Sequence, residues 1–176
     1  MRLAGLRSWL FWTAAFLMVG ATAGCDNPFD PLNKSSAIQG LTYFDFTATQ
    51  SHWDSDPEWD GIEITMNYYN EFSDSLTFHD KSHKVQIDMY SQKEDPATKK
   101  QVRNAFLISK TVDFANSDDL IRIPIEYYSG VIGLPSTESI KGCLQVHVFP
   151  PQESPQKELI STVQCDQEFY TPETAQ

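Results

Sequence analysis

Ile62-Glu63-Ile64-Thr65-Met66-Asn67-Tyr68 is the stretch whose reading decides the fold class. Successive side chains of an extended chain point to opposite sides. Ile62, Ile64, Met66 and Tyr68 therefore share one face, and Glu63, Thr65 and Asn67 the other. This is the pattern of a strand with one face in a core and the other in water. The alternation recurs outward from this segment. Phe44, Phe46 and Ala48 share a face of Leu41–Thr49, and Val85, Ile87 and Met89 alternate with Gln86, Asp88 and Tyr90. Leu76–Phe78 is short, and Ala105–Phe114 is rich in β-formers. Ile121, Ile123, Ile125 and Tyr127 alternate again, with Pro124 on the opposite phase. Because proline cannot donate to a ladder, that strand is expected at a sheet edge. Leu144, Val146 and Val148 alternate with Cys143, Gln145 and His147, and Leu159–Cys165 closes the series. No long stretch carries a 3.6-residue period.

The connecting segments DSDPEWDG, NEFSDS, QKEDPATKK, NSDD, LPSTES and FPPQESPQ are dense in turn formers. Short alternating runs separated in this way predict an all-β chain: a single antiparallel β-sandwich of seven or eight strands. There is no internal repeat. In each adjacent tyrosine pair, Tyr68-Tyr69 and Tyr127-Tyr128, one ring is expected in the core and the other outside.

The first 24 residues read differently. Arg2 and Arg7 precede an apolar run of eleven residues, Trp9–Val19, and Gly20–Gly24 are small. Eleven apolar residues are too few to span a bilayer, which needs about 20, so the segment reads as an export signal. It ends in Thr22-Ala23-Gly24-Cys25. Ala23, Gly24 and Cys25 resemble the lipobox of bacterial lipoproteins, although Thr22 stands where leucine is usual. The resemblance implies that Cys25 becomes an acylated N-terminus, a lipid anchor in the bilayer on the non-cytoplasmic side of a bacterial cell envelope. Asp26 resembles an inner-membrane retention signal. Ala21-Thr22-Ala23 also offers an ordinary cleavage site before Gly24. The expected organisation is a signal peptide at 1–24, a lipidated N-terminus and tether at 25–38, a β-sandwich at 39–170 and a disordered tail at 171–176.

Three cysteines are an odd number for an exported chain, which favours a separate role for Cys25. Cys143 and Cys165 remain. If the last hairpin centres near Ser154, opposed residues sum to 308, and Cys143 faces Cys165. Opposed α-carbons lie about 4.5–5.5 Å apart, within disulfide reach. Such a bridge closes a loop worth roughly 3 kcal/mol in the chain-entropy model. The spacing is not C-x-x-C, so a redox role has no support.

Removing residues 1–24 takes away Arg2 and Arg7 and no acid. Eleven basic residues then face 24 acidic ones, a formal charge of −13. That acidity excludes nucleic-acid binding, which depends on neutralising phosphates. It also leaves Cys25 as the source of any membrane contact.

Asp54, Asp56, Glu58 and Asp60 form the densest acid cluster, and calcium is the cation such oxygen ligands would suit. The segment is not an EF-hand, because Asn67 stands where a bidentate glutamate is needed. Trp53 and Trp59 flank the cluster and are either caps on the open end of the sandwich or a partner surface. His79 and His83 have i, i+4 spacing in a polar turn, where it does not converge on a metal. His52 and His147 are isolated, and there is no G-x-S-x-G. Asp60-Gly61-Ile62-Glu63-Ile64, an acidic turn opening a strand, resembles small envelope lipoproteins with a C2-like or immunoglobulin/fibronectin-III-like sandwich. The expected role is non-enzymatic: a lipid-anchored domain presenting loops to an envelope protein or ligand. An acid- or metal-dependent envelope hydrolase and a calcium-stabilised adhesion module are the alternatives.

Overall fold

The computed structural model describes residues 37–55 and 58–172. Two antiparallel sheets pack face to face as an all-β sandwich. One sheet holds β1 (Tyr43–Ser51), β2 (Gly61–Tyr69), β3 (Ser75–Leu76) and β6 (Ile121–Pro124). The other holds β4 (His83–Glu94), β5 (Gln101–Phe114), β7 (Ile140–Phe149), β8 (Leu159–Ile160) and β9 (Gln164–Tyr170). In the first sheet β2 pairs with β1 along its whole length, and with β3 and β6 at opposite ends of its other side. In the second, β4 lies between β5 and β7, and β7 carries β8 and β9 on its far edge.

The inward rows are those the alternation predicts, with Phe169 added from β9, which runs on past the expected end at Cys165. Phe44, Phe46, Ile62, Ile64, Met66, Tyr68, Ile121 and Ile123 face Val85, Ile87, Met89, Leu144, Val146, Val148 and Phe169, all buried. Each such side chain contributes about 1.5–3 kcal/mol relative to exposure. Ile38 and Leu41 close the end of the sandwich where β1 begins. Ile38, expected at the end of the tether, is thus part of the core. At the other terminus Thr171 and Pro172, expected in the tail, are half-buried. Cys25 and residues 173–176 lie outside the described residues.

Two strand expectations need correction. The run through Ile125 and Tyr127 does not stay extended: β6 ends at Pro124, and Ile125–Ile132 forms α1. The physical reason is local. Pro124 stands at the N-cap with φ −58°, its nitrogen on the open edge where no ladder partner is lost, and Ile125, Tyr128 and Ile132 recur at i, i+3, i+7, a helical stripe. Gly133 ends the helix in the left-handed region (φ 85°), its N–H donating to Ser129 O. Pro124 does sit on an edge strand, as expected. One tyrosine of the pair is buried and the other exposed, as expected, but on a helix, and it is Tyr128 and not Tyr127, the ring in phase with Ile121 and Ile123, that turns inward. Tyr128 is fully buried and donates to Phe169 O at 3.0 Å, and Tyr127 reaches out to Ser109 O at 2.6 Å.

The segment expected as one closing strand is split. Ser161 interrupts it by donating its N–H to Val146 O while its hydroxyl accepts from Val146 N–H. The register also slips. Leu144 pairs with Gln164, matching a sum of 308, but Val148 pairs with Leu159 and Gly142 with Gln167, one residue off on either side. Cys143 and Cys165 lie in the second shift and are bridged, with α-carbons 3.9 Å apart. Asp166, next in line, takes a left-handed conformation (φ 61°), as a bulge residue does.

One polar pair is sealed in the core. His83 is 3% exposed, ringed by Tyr68, Phe78 and Phe114. Its Nδ1 lies 3.3 Å from Lys81 O, which only accepts, so Nδ1 carries the proton. Nε2 then accepts from the Tyr68 hydroxyl at 3.1 Å. Burial pushes the His83 pKa below its ordinary value and that of Tyr68 up.

Two outcomes are expected. Non-reducing peptide mapping should join Cys143 to Cys165, and Cys143→Ala/Cys165→Ala should lose about 3 kcal/mol of stability in urea. An unchanged midpoint would show that the bridge is dispensable. The second concerns acid. His83 stays neutral in the fold where the unfolded chain protonates, so its contribution is complete above about pH 6.5 and is lost as pH falls below it. The urea midpoint should therefore fall between pH 7.5 and 5.5, and fall less in His83→Gln. Equal falls in both proteins would rule out His83 as the source.

Candidate functional site

The end of the sandwich where β1 finishes is built from the loop joining β1 to β2. Asp60 organises that loop. Its carboxylate accepts from the backbone N–H groups of Trp53 and, at 3.1 Å, Asp54. Its own N–H donates to Ser51 O, and its carbonyl receives Ile125 N–H at 2.8 Å, tying the loop to the start of α1. Both backbone donors meet the same carboxylate oxygen, Oδ2. Among the described residues no group of three or more histidine, cysteine, aspartate or glutamate side chains is placed to hold a metal. Asp56 lies outside them. Asp54 and Glu58 are both exposed on the rim of the loop.

The structure separates the two tryptophans that the sequence pairs. Trp53 lies over the outer face of the first sheet. Its ring sits 5.4 Å beneath the Arg122 guanidinium, which also donates to Glu63 at 3.2 Å. Gly61 makes room for it. A Cβ there would press on Ile123 O and lie 2.8 Å from the Trp53 ring, and its φ of 151° is one that other residues rarely adopt. Trp59 instead turns toward the open end. The His52 ring stacks on it with centroids 3.9 Å apart, and His52 Nδ1 donates to Glu58 O at 2.8 Å, which fixes the imidazole.

Trp59 walls two adjoining hollows. One, of about 590 Å³, has Ile125, Pro135, Tyr170 and Pro172 as its apolar surface and Glu58, Ser136 and Thr137 as its polar groups. The other, of about 470 Å³, lies between the end of β1 and β9. Ala48, Thr49 and Gln50 form one side, and Asp166, Gln167 and Glu168 the other. Short of this gap the sheets are tied by Gln164, whose amide donates to Phe46 O at 3.1 Å. Gln50 continues the inward row Phe44, Phe46, Ala48. Its amide nitrogen and oxygen are buried without a hydrogen-bond partner. The sequence contains this signal: Gln50 is the polar residue that breaks an apolar row on the inner face. The strand expected over Leu41–Thr49 ends one residue short of it.

The histidines fall elsewhere. His79 pairs with Asn116 on the surface, and His83 is the core residue described above, so the two do not converge. His147, isolated in sequence, is half-sandwiched by carboxylates on the outer face of the second sheet. Its Nδ1 lies 2.9 Å from Glu158, and Nε2 lies 3.4 Å from Asp88 Oδ2 without a hydrogen bond. Asp88 accepts from Ser109 at 2.6 Å and Gln86 at 2.9 Å. Because the Ser109 hydroxyl donates to Asp88 and not to His147, the group is not ordered as nucleophile, base and orienter. It joins β4, β5 and β7.

Comparison with protein-family models, curated proteins and solved structures finds no match, so the chemistry of this end rests on its own residues. Gly61→Ala tests the loop. It should cost about 1–3 kcal/mol, as overpacking does, and shift tryptophan emission as Trp53 is displaced. Full stability with unaltered emission would contradict the close packing of Trp53 on Gly61.

Proposed function

We propose that this protein is a lipid-anchored binding module of the bacterial cell envelope. The observation that carries the binding reading is the mouth walled by Trp59. It combines concave shape, aromatic and proline surface and a few polar groups, the usual composition of a ligand site. The mouth stands on well-supported elements. Asp60 and the His52 stack hold the loop, α1 closes one side and β9 the other. Preorganisation of this kind lowers the cost of binding.

The anchor and compartment rest on the export segment and on Ala23-Gly24-Cys25. The Cys143–Cys165 bridge is consistent with an oxidising compartment and leaves Cys25 as the third cysteine. In this arrangement the acyl chains fix position, the tether gives reach, and the sandwich presents its open end. More than one acyl chain is needed to hold a protein firmly, which a lipoprotein N-terminus supplies.

The direct test is fractionation. Cys25→Ser should move the protein from membrane to soluble fractions, and intact mass of the wild type should show acyl addition at Cys25. A variant that stays with the membrane, or an unacylated wild type, would overturn the anchor.

A further inference from the structure

Gln50 carries an unpaired amide inside the fold. Among the described residues four buried side-chain polar atoms have no hydrogen-bond partner: Gln50 Nε2, Gln50 Oε1, Thr171 Oγ1 and His147 Nε2. Gln50 lines the mouth, its amide atoms covered, and Thr171 stands in sequence between Tyr170 and Pro172, which line it. Native interiors leave few polar groups unpaired, because each costs about 1–3 kcal/mol. Their concentration at one end of one domain marks where a bound molecule would supply partners.

We infer that the mouth binds a neutral saccharide, lodged against Trp59 with its hydroxyl groups toward Gln50. This deepens the binding reading above and rests on it. A sugar ring presents apolar C–H faces and a rim of hydroxyls that both donate and accept. The site matches each part. Trp59 and Tyr170 offer flat apolar surface. The Gln50 amide is covered in the free protein; turned into the mouth, it offers two donors and an acceptor, the complement of adjacent hydroxyls. Ser136 and Thr137 add hydroxyls, and Glu58, Asp166 and Glu168 add carboxylate acceptors. Asp166 already receives Gln92 at 3.1 Å, and Glu168 lies 3.6 Å from Lys141, but a carboxylate accepts about four bonds in all.

The same acids exclude anionic ligands by repulsion. A peptide strand fits less well. Added to the free edge of β1 it would pair main-chain groups and leave the inward Gln50 amide without partners.

The test uses full-length protein extracted in a non-glycosidic detergent, which cannot compete for the site. Binding is screened on an array of neutral glycans and then measured by tryptophan fluorescence with soluble probes, cellobiose, maltose and diacetylchitobiose among them. At least one neutral glycan should bind saturably. Gln50→Leu keeps the bulk and removes the unpaired amide. It should leave the melting temperature unchanged or raised while weakening binding by about tenfold or more. Trp59→Ala should abolish the fluorescence response. Absence of any glycan binding at millimolar concentration, or binding unaltered in Gln50→Leu, overturns the saccharide assignment. A response of Trp59 to a proline-rich peptide in place of a glycan also overturns it while sparing the binding reading. Fractionation of Cys25→Ser reports on the anchor independently of every one of these outcomes.

Discussion

The inward row of β2 is the constraint on which the rest of the structure depends. Ile62, Ile64, Met66 and Tyr68 can leave water only if a second apolar sheet covers them. Val85, Ile87, Met89, Leu144, Val146 and Val148 supply that cover. Because side-chain period in a strand is two, a slip of one residue between β1 and β2 would turn Phe44 and Phe46 outward with every other member of their row. Burial therefore fixes register as well as layer. It explains why the β1–β2 pairing runs without a break from Tyr43–Tyr69 to Ser51–Gly61.

Where that rule relaxes, polar groups take over. Tyr68 and His83 end the core with one shared hydrogen bond, their tautomer set by Lys81 O. On the outer face of the second sheet Asp88 gathers Gln86 from its own strand and Ser109 and His147 from the neighbouring ones. In both places polar side chains find partners inside the fold, His147 Nε2 excepted. At the far end of β1 they do not, and Gln50 is left with an inward amide beside Trp59. A site that departs from the otherwise consistent pattern of apolar rows and paired polar groups is where function is expected to sit.

The candidate site was partly legible beforehand. Trp53, Trp59 and the acids between them stand out by composition, and their turn is where a loop was expected. Their roles were not legible. Asp60 is a loop organiser because the chain folds back so that the Trp53 and Asp54 N–H groups meet it. Trp53 is packing because Gly61 and Arg122 make a slot for it. Tyr170, Pro135 and Ser136 come to the mouth from segments roughly 80 to 110 residues beyond Trp59, and no local pattern could have joined them.

By itself the sequence determined the fold class, the inward faces of most strands, the division of Tyr68 from Tyr69 and the pairing of Cys143 with Cys165. All of these follow from local periodicity and short hairpin geometry, which depend on neighbouring residues alone. Tertiary structure decided what local pattern leaves degenerate. The alternation Ile121, Ile123, Ile125, Tyr127 fits a longer strand, yet Pro124 ends β6, and burial of Tyr128 against Phe169 favours a helix. The bulge at Cys165 and Asp166, the parting of Trp53 from Trp59 and the unpaired amide of Gln50 likewise depend on how two sheets meet at their ends. Those ends are assembled from residues far apart in the chain, so their geometry is settled only when the sheets close on one another.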